Sequence, residues 1–322
     1  MKATAQMGQY EIYEIIGKGG LATIFLARDT NQGPESPLLA LKCMNPEAAN
    51  HEMAVQGFFQ EIKLLRSFKH QNLLTGEDSG KQRGVHYVVT QFIDGQNLRS
   101  INNKLRSTGN IMSLLPFLIS EVLAGLDYLH EFKDEKGKAL KITHNDLTPG
   151  NILVGYEGEV KIADFGAATF EGHPLASSAE PEVMGTLSYL APEKLLGKKF
   201  DNRADIYAVG VMLYELALGS PPYQHREGES DMDVLERITK GQYDPIESIK
   251  TDLPEHVSTT ITQAMALKPK KRFKNAKEMA LQLGIDLDSE AAFSARERRQ
   301  FLLGTAMKSL FYKEYQKSAR QR

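Results

Sequence analysis

Cysteine, net charge and long apolar runs are all scarce in this 322-residue chain. The single cysteine, Cys43, excludes an intrachain disulfide and fits a reducing compartment. Lysine and arginine total 39 against 41 aspartates and glutamates, so a net charge of −2 gives no global pull toward nucleic acid or a membrane surface. No apolar run nears the roughly 20 residues of a membrane-spanning helix. The start, Met1-Lys2-Ala3-Thr4-Ala5-Gln6, has no signal-peptide core. The expectation is a soluble, cytoplasmic chain without a nucleic-acid partner, with a membrane segment after Arg322 left open. Hydrophobic content of 41% and charged content of 25% are those of an ordinary globular protein. The length allows two lobes with separate cores, or one large domain.

Chemistry is concentrated between Ile142 and Gly166. Apolar Ile142, Ile152, Leu153, Val154, Val160 and Ile162 flank polar residues that cannot all be packing, in a pattern of strand, loop, short strand, turn, short strand and acidic loop. Asp146 is placed to accept a proton. Asn151 and Asp164 are hard oxygen donors of the kind Mg²⁺ prefers, an ion that takes few protein ligands beside phosphate oxygens.

This stretch resembles the catalytic and metal loops of protein kinases, whose templates are H-R-D-L-x-x-x-N and D-F-G. His144, Asp146, Leu147, Asn151 and Asp164-Phe165-Gly166 match; Asn145 stands where the family has Arg, and Thr148 where Ser/Thr kinases carry Lys. The resemblance implies ATP as cofactor, Mg²⁺ (Mn²⁺ as alternate) held by Asn151 and Asp164, and Asp146 as the base that orients and deprotonates the acceptor hydroxyl. It also implies that His144 packs under Phe165 as a structural pair. Thr148 cannot place positive charge on the transferring phosphoryl group, a loss of roughly 3–4 kcal/mol or ~10²–10³ in rate. That slows an enzyme without abolishing it. Asn145 lacks the charge that would bind a phosphorylated activation loop. Alanines at Thr169, Ser177 and Ser178 together should therefore leave most activity.

Upstream, Tyr10 to Ile16 reads as a strand running into Gly17-Lys18-Gly19-Gly20-Leu21-Ala22-Thr23-Ile24. Alone this is as well read as a hairpin turn. It is similar to the kinase Gly-rich loop, with Gly17 and Gly19 matching, Ala22 in the third Gly place and Ile24 for Val. Lys42, in the apolar run Leu38 to Met44, is by itself an edge-strand lysine; Ala40-Leu41-Lys42 resembles V-A-I-K, whose Lys holds the α- and β-phosphates. Cys43 reads as a small core residue. A helical period covers His51 to Phe68, with Met53, Val55, Phe58, Phe59, Ile62, Leu64, Leu65 and Phe68 on its apolar face. Glu61 on it is either solvated or paired; the resemblance pairs it with Lys42. Val85 to Gly95 is a buried strand and turn, whose kinase counterpart reads adenine through the backbone of Gln91 and Ile93, with Thr90 guarding the rear. Leu153 completes the implied nucleotide site.

Downstream, Ser113 to His130 is an amphipathic helix and Glu131 to Lys141 a solvated hairpin. Residues 167–184 read as a flexible loop before Gly185-Thr186-Leu187-Ser188-Tyr189-Leu190-Ala191-Pro192-Glu193, which resembles the segment ending in A-P-E. Thr186 tilts the implied specificity toward Ser/Thr. Asp201 to Leu216 is a buried helix whose Asp205 needs partners; the family ties it to the catalytic-loop backbone. Arg272 reads as a solvated basic turn or as the ion-pair partner of Glu193, and the pair is preferred.

Six motifs in order imply a eukaryotic-type (Hanks-type) serine/threonine protein kinase of bacterial style. The expected fold is α+β and bilobal: a small, mostly β lobe with one helix over residues 10–92, a larger, mostly α lobe over 93–285, and a basic helical extension over 286–322. That extension, with apolar Phe293, Phe301, Leu302, Leu303, Met307, Leu310 and Phe311 among basic residues, fits three placements: a helix docked on the kinase lobe, a helix against a partner or membrane surface, or a juxtamembrane linker. The expected partners are nucleotide and protein substrates. Two rivals stand beside this reading, a nucleotide-binding pseudokinase scaffold and a small-molecule phosphotransferase.

Overall fold

The computed structural model describes residues 2–108, 115–170, 187–249 and 253–319. The N-terminal part is an antiparallel sheet built from β1 (Ala5–Met7), β2 (Tyr10–Lys18), β3 (Ala22–Asp29), β4 (Leu38–Met44), β5 (Gly76–Gln82) and β6 (Val85–Gln91), with α1 (Glu52–Ser67) packed on it. Strand order is β1-β2-β3-β4-β6-β5. The register Ile24↔Lys42 and Lys42↔Val88 puts the β4 lysine in the middle of the sheet. Tyr10, Ile12, Ala27, Leu39, Leu41, Cys43 and Val89 bury one face as a small core of its own.

A chain crossing after β6 leads to β7 (Gly95–Asn97) and α2 (Leu98–Thr108). The α-rich part follows: α3 (Leu115–His130), the short strands β8 (Ile152–Gly155) and β9 (Val160–Ile162), α4 (Pro192–Leu195), α5 (Arg203–Leu218), α6 (Asp231–Lys240), α7 (Ile246–Ile249), α8 (Glu255–Ala264) and α9 (Ala276–Gln282). Leu115, Leu118, Ile119, Val122, Leu123, Leu126 and Leu129 on α3 are all buried, as the helical period requires. Helix α5 is buried along nearly its whole length. Helix α6 starts with a reciprocal capping box between Ser230 and Asp233 and ends at Gly241 in the left-handed region, φ 64°. The result is a sheet lobe over a helical lobe.

Several elements depart from the sequence pattern. Met53 and Phe59, expected on the apolar face of α1, are about half exposed, because the sheet covers less of that helix than its apolar stripe. Strand β5, Gly-Glu-Asp-Ser-Gly-Lys-Gln, has no apolar alternation; its place at the sheet edge beside β6 rests on backbone pairing. Helix α2 escaped the pattern reading, although Leu98, Ile101 and Leu105 follow helical spacing and Asn97 Oδ1 caps the first turn by accepting from Ser100 N at 2.9 Å.

The C-terminal residues form α10 (Glu290–Leu310) and α11 (Tyr312–Ala319), which meet α3, the turn between β8 and β9, and Asp94. Leu303, Met307 and Phe311 are buried, while Phe301 at 72% exposed and Leu302 at 51% face outward, contrary to their place in the expected apolar set. Arg296 Nε donates to both Glu121 oxygens of α3, at 3.0 and 3.1 Å. Lys308 Nζ meets Glu157 Oε2 at 2.7 Å, and Ser318 bonds Asp94 just after β6. The two backbones touch at glycines: a Cβ on Gly158 would lie 2.0 Å from the Gln300 carbonyl oxygen. Among the described residues no helix is long and apolar enough to cross a membrane.

Candidate active site

A cleft between sheet and helices is lined by Gly19, Ala22, Ile24, Ala40, Lys42, Glu61, Gln91, Ile93, Asp146, Asn151, Leu153 and Asp164, residues drawn from both lobes. Gly17 is not among its lining residues. It lies in β2 opposite Ile24, whose Cδ1 would stand 3.3 Å from a Cβ there, so close packing accounts for its lack of a side chain. Ala22 and Ile24 sit on β3, and the turn itself is closed by Gly19 N donating to Ala22 O at 2.9 Å. Asn45 Nδ2 braces that turn from β4's end, donating to the carbonyls of Gly19 and Gly20 at 2.8 and 2.9 Å. No motif in the sequence marks Asn45 for this role.

Lys42 Nζ lies 2.7 Å from both carboxylate oxygens of Glu61 and 3.0 Å from Asp164 Oδ1. Glu61 is buried, whereas Asp164 keeps 48% of its side chain exposed to the cleft. Burial pulls the Lys42 ammonium down, but the two carboxylates outweigh it and hold its pKa above the ordinary lysine value. Lys42 pulls the Asp164 carboxyl below the usual range, and burial pushes that of Glu61 up. Asp164 sits at φ 65°, in the left-handed region uncommon for a non-glycine residue. Phe165 behind it is fully buried, 4.9 Å from Phe68 and 5.1 Å from His144, ring to ring.

The Asp146 loop is pinned from several sides. Asn151 Nδ2 donates to Asp146 O at 2.7 Å and to its Oδ2 at 3.0 Å. Asp146 Oδ1 is buried without a hydrogen-bond partner, and burial pushes the carboxyl above its ordinary pKa. His144 is a structural residue: Nε2 bonds Ala163 O at 3.1 Å and Nδ1 accepts from Asp146 N at 3.3 Å. Asp205 on α5 accepts from the backbone amides of His144 and Asn145 at 2.8 and 3.0 Å. Its third partner, His130 at the end of α3 (2.9 Å), could not be read from the sequence, since a helix-terminal His has no signature. Burial pushes the Asp205 carboxyl up, yet His130 and the amides hold it below the usual range.

Helix α4 is anchored by Glu193, which takes two bonds from Arg272, at 2.6 and 2.8 Å. Thr148, in the same loop as Asp146, is buried. Thr186, Ser177 and Ser178 lie outside the described residues.

A protein-family model described as "Protein kinase domain" matches residues 10–282. The chain belongs to the protein kinase family. It is similar to bacterial kinases of eukaryotic type: 31% identical over 278 residues to "Tyrosine-protein kinase MasK" of Myxococcus xanthus, covering 85% of this chain and 42% of that one. It is 28% identical to "Probable serine/threonine-protein kinase PknB" of Lactococcus lactis, over 84% of this chain and 41% of the relative. Against "Serine/threonine-protein kinase PrkC" of Bacillus subtilis it is 27% identical, over 89% and 41%. The chain thus spans about two-fifths of the length of these curated relatives. The bilobal α+β fold expected from the motifs is the fold of this kinase.

The kinase presents two oxygen groups, the Asn151 amide and the Asp164 carboxylate, to the same cleft. Asn151 uses its amide nitrogen on Asp146, which leaves its amide oxygen for a cation. Among the described residues no group of three or more His, Cys, Asp or Glu could hold a metal alone. A pair of hard donors completed by phosphate oxygens fits Mg²⁺ and not a protein-only cage.

Proposed function

We propose that this kinase transfers the γ-phosphoryl group of ATP to Ser or Thr hydroxyls of protein substrates. The observation that carries this reading is the Lys42–Glu61 pair at 2.7 Å, with Asp164 at 3.0 Å, facing Asp146 across one cleft. Lys42 is held by Glu61 for the α- and β-phosphates; Gly19, Ala22, Ile24, Ala40 and Leu153 enclose the nucleotide, and Gln91 and Ile93 read the adenine edge. Gly17 serves the Gly-rich loop through its packing. Asp146, kept in place by Asn151, orients the acceptor hydroxyl and takes its proton. Asn151 and Asp164 would hold the divalent ion, Mg²⁺ or Mn²⁺, which would neutralise charge on the phosphates. Ser/Thr specificity is supported by two relatives named as serine/threonine kinases, and the MasK relative, named a tyrosine kinase, sets the alternative.

An intact ion-paired cleft favours turnover over a scaffold role, and the Arg272–Glu193 anchor of α4 favours a protein substrate over a small alcohol. The same reading divides the chain at residues 10–92, 93–285 and 286–322 and docks the last segment on the kinase lobes, which the Arg296–Glu121 and Lys308–Glu157 bonds support. The test is γ-labelled phosphate transfer to a generic basic protein, wild type beside Asp146→Asn, followed by phosphoamino-acid analysis. Asp146-dependent phosphoserine or phosphothreonine is expected. Phosphotyrosine alone overturns the specificity. Nucleotide-dependent thermal stabilisation without transfer overturns the activity.

A further inference from the structure

Phosphoryl transfer concentrates negative charge where acceptor oxygen, phosphorus and leaving oxygen meet, and a cation fixed beside that point is the usual protein contribution. The Asp146 loop brings none of its own: its neighbours are Asn145 and the buried Thr148. Lys42 is committed to Glu61 and Asp164. Arg99 on α2, which approaches Gly150, is exposed and does not line the cleft.

Lys194, on α4, lines the cleft together with Asp146, Gly150 and Asn151. Its Nζ donates to the Asn145 carbonyl at 3.0 Å, one residue from Asp146, and stands 5.3 Å from the centre of the Phe200 ring. Among the described residues Lys194 makes no ion pair. The carboxylates that face it are engaged elsewhere: Glu193 with Arg272, and Asp205 with His130 and two backbone amides. The exception is Asp146, whose Oδ1 has no hydrogen-bond partner.

We propose that Lys194 supplies the positive charge of the phosphoryl-transfer step, from the helix after Ala-Pro-Glu and not from the catalytic loop. The proposal rests on the phosphotransfer reading above. In the step, the acceptor oxygen forms its bond to the γ-phosphorus while the bond to the β,γ-bridging oxygen breaks. Asp146 takes the hydroxyl proton, and ADP leaves with the electron pair. The ammonium of Lys194, bonded to the carbonyl next to Asp146, faces the charge gathering on the phosphoryl oxygens.

Desolvation pulls Lys194 down to about 8, against the raising fields of Asp205, Asp146 and Glu193. Lys194 is therefore charged below that pH and loses its proton as pH rises through it.

The test compares Lys194→Arg, which keeps the charge, with Lys194→Gln, which keeps an N–H donor for the Asn145 carbonyl but no charge. Both are assayed for kcat, KM for ATP and thermal melting beside wild type and Asp146→Asn. Asp146-dependent transfer by wild type establishes the reading independently, so failure of Lys194 is distinguishable from failure of that reading. Expected are a kcat loss of roughly 10²–10³-fold in Lys194→Gln with little change in KM for ATP, and retained activity in Lys194→Arg. Wild-type kcat should fall above pH 8 while the Lys194→Arg profile stays level. A Lys194→Gln variant as active as wild type overturns the proposal. So do superimposable pH profiles for wild type and Lys194→Arg, whether or not the Gln variant folds.

Discussion

Asn145 Nδ2 donates to Thr169 Oγ1 at 2.7 Å, and the same nitrogen reaches the carbonyls of Thr143 and Ala167 at 3.2 and 3.1 Å. Backbone bonds between Thr143 and Thr169, 2.9 Å in both directions, run beside it. The catalytic loop is thus joined to the chain following Asp164-Phe165-Gly166 by hydrogen bonds from an uncharged side chain and the backbone. Asn145 is at φ 70°, a conformation that asparagine tolerates better than most side chains.

Phosphatase-treated protein should therefore keep its activity, and Thr169→Ala should keep kcat within roughly fivefold of wild type, the equivalent of about 1 kcal/mol for one hydrogen bond. Initial rates before and after treatment measure this. A collapse of activity on dephosphorylation would show that a phosphate is required after all.

Lys42→Met should abolish measurable transfer and also destabilise the sheet lobe. It leaves Glu61 buried without its cation, a loss of about 3–5 kcal/mol. Glu61→Gln should be milder, since a neutral amide is cheaper to bury than a lone carboxylate. Urea unfolding of both variants gives the ranking.

Arg272 has a fully buried side chain, paired with Glu193 and stacked 4.8 Å from the centre of the Tyr207 ring. Arg272→Ala should cost about 3–5 kcal/mol and visibly lower the melting temperature. Replacing Arg272 and Glu193 together by Met and Leu should recover a large part of that loss, because no charge is then left unpaired. A double-mutant cycle reads the difference.

The Cys43 thiol is buried, and burial pushes its pKa up to about 11. At pH 8 only about one thiol in a thousand is then ionised, and the thiolate is the reactive form. Native protein should resist maleimide for hours, whereas urea-unfolded protein should label at once, as intact-mass measurement would show.

Gly304 lies 2.9 Å, by its would-be Cβ, from the Tyr156 carbonyl oxygen, and Tyr156 packs on Tyr315 at 5.3 Å. Gly304→Val should lift α10 and α11 from the lobes, raise amide exchange between residues 296 and 319, and lower the melting temperature. Unchanged exchange protection in that variant would count against a docked extension.

Motif order and period made most of the fold legible. The β4 run Leu38–Met44, the apolar stripe of α3 and the mostly apolar α5 are strong local signals, because burial demands the same residue type at each turn or alternate position. Strand β5 was not legible, because an edge strand made of Gly, Glu, Asp, Ser, Lys and Gln is held by its neighbour's backbone and not by its own side chains. Phe301 and Leu302 misled for the opposite reason: apolar residues on a helix show a stripe, not what covers it.

By itself the sequence determined the family and the α+β two-lobed plan, and it marked Lys42, Glu61, Asp146, Asn151 and Asp164 as candidates, since these are choices of residue type at positions along the chain. Only the tertiary structure decided which groups meet across long separations. It brought His130 to Asp205, Asn145 to Thr169, Arg296 to Glu121, and Lys194 to the carbonyl beside Asp146. The physical reason is that a lone polar residue on a helix has many possible partners, and burial and register choose among them only once the chain has folded.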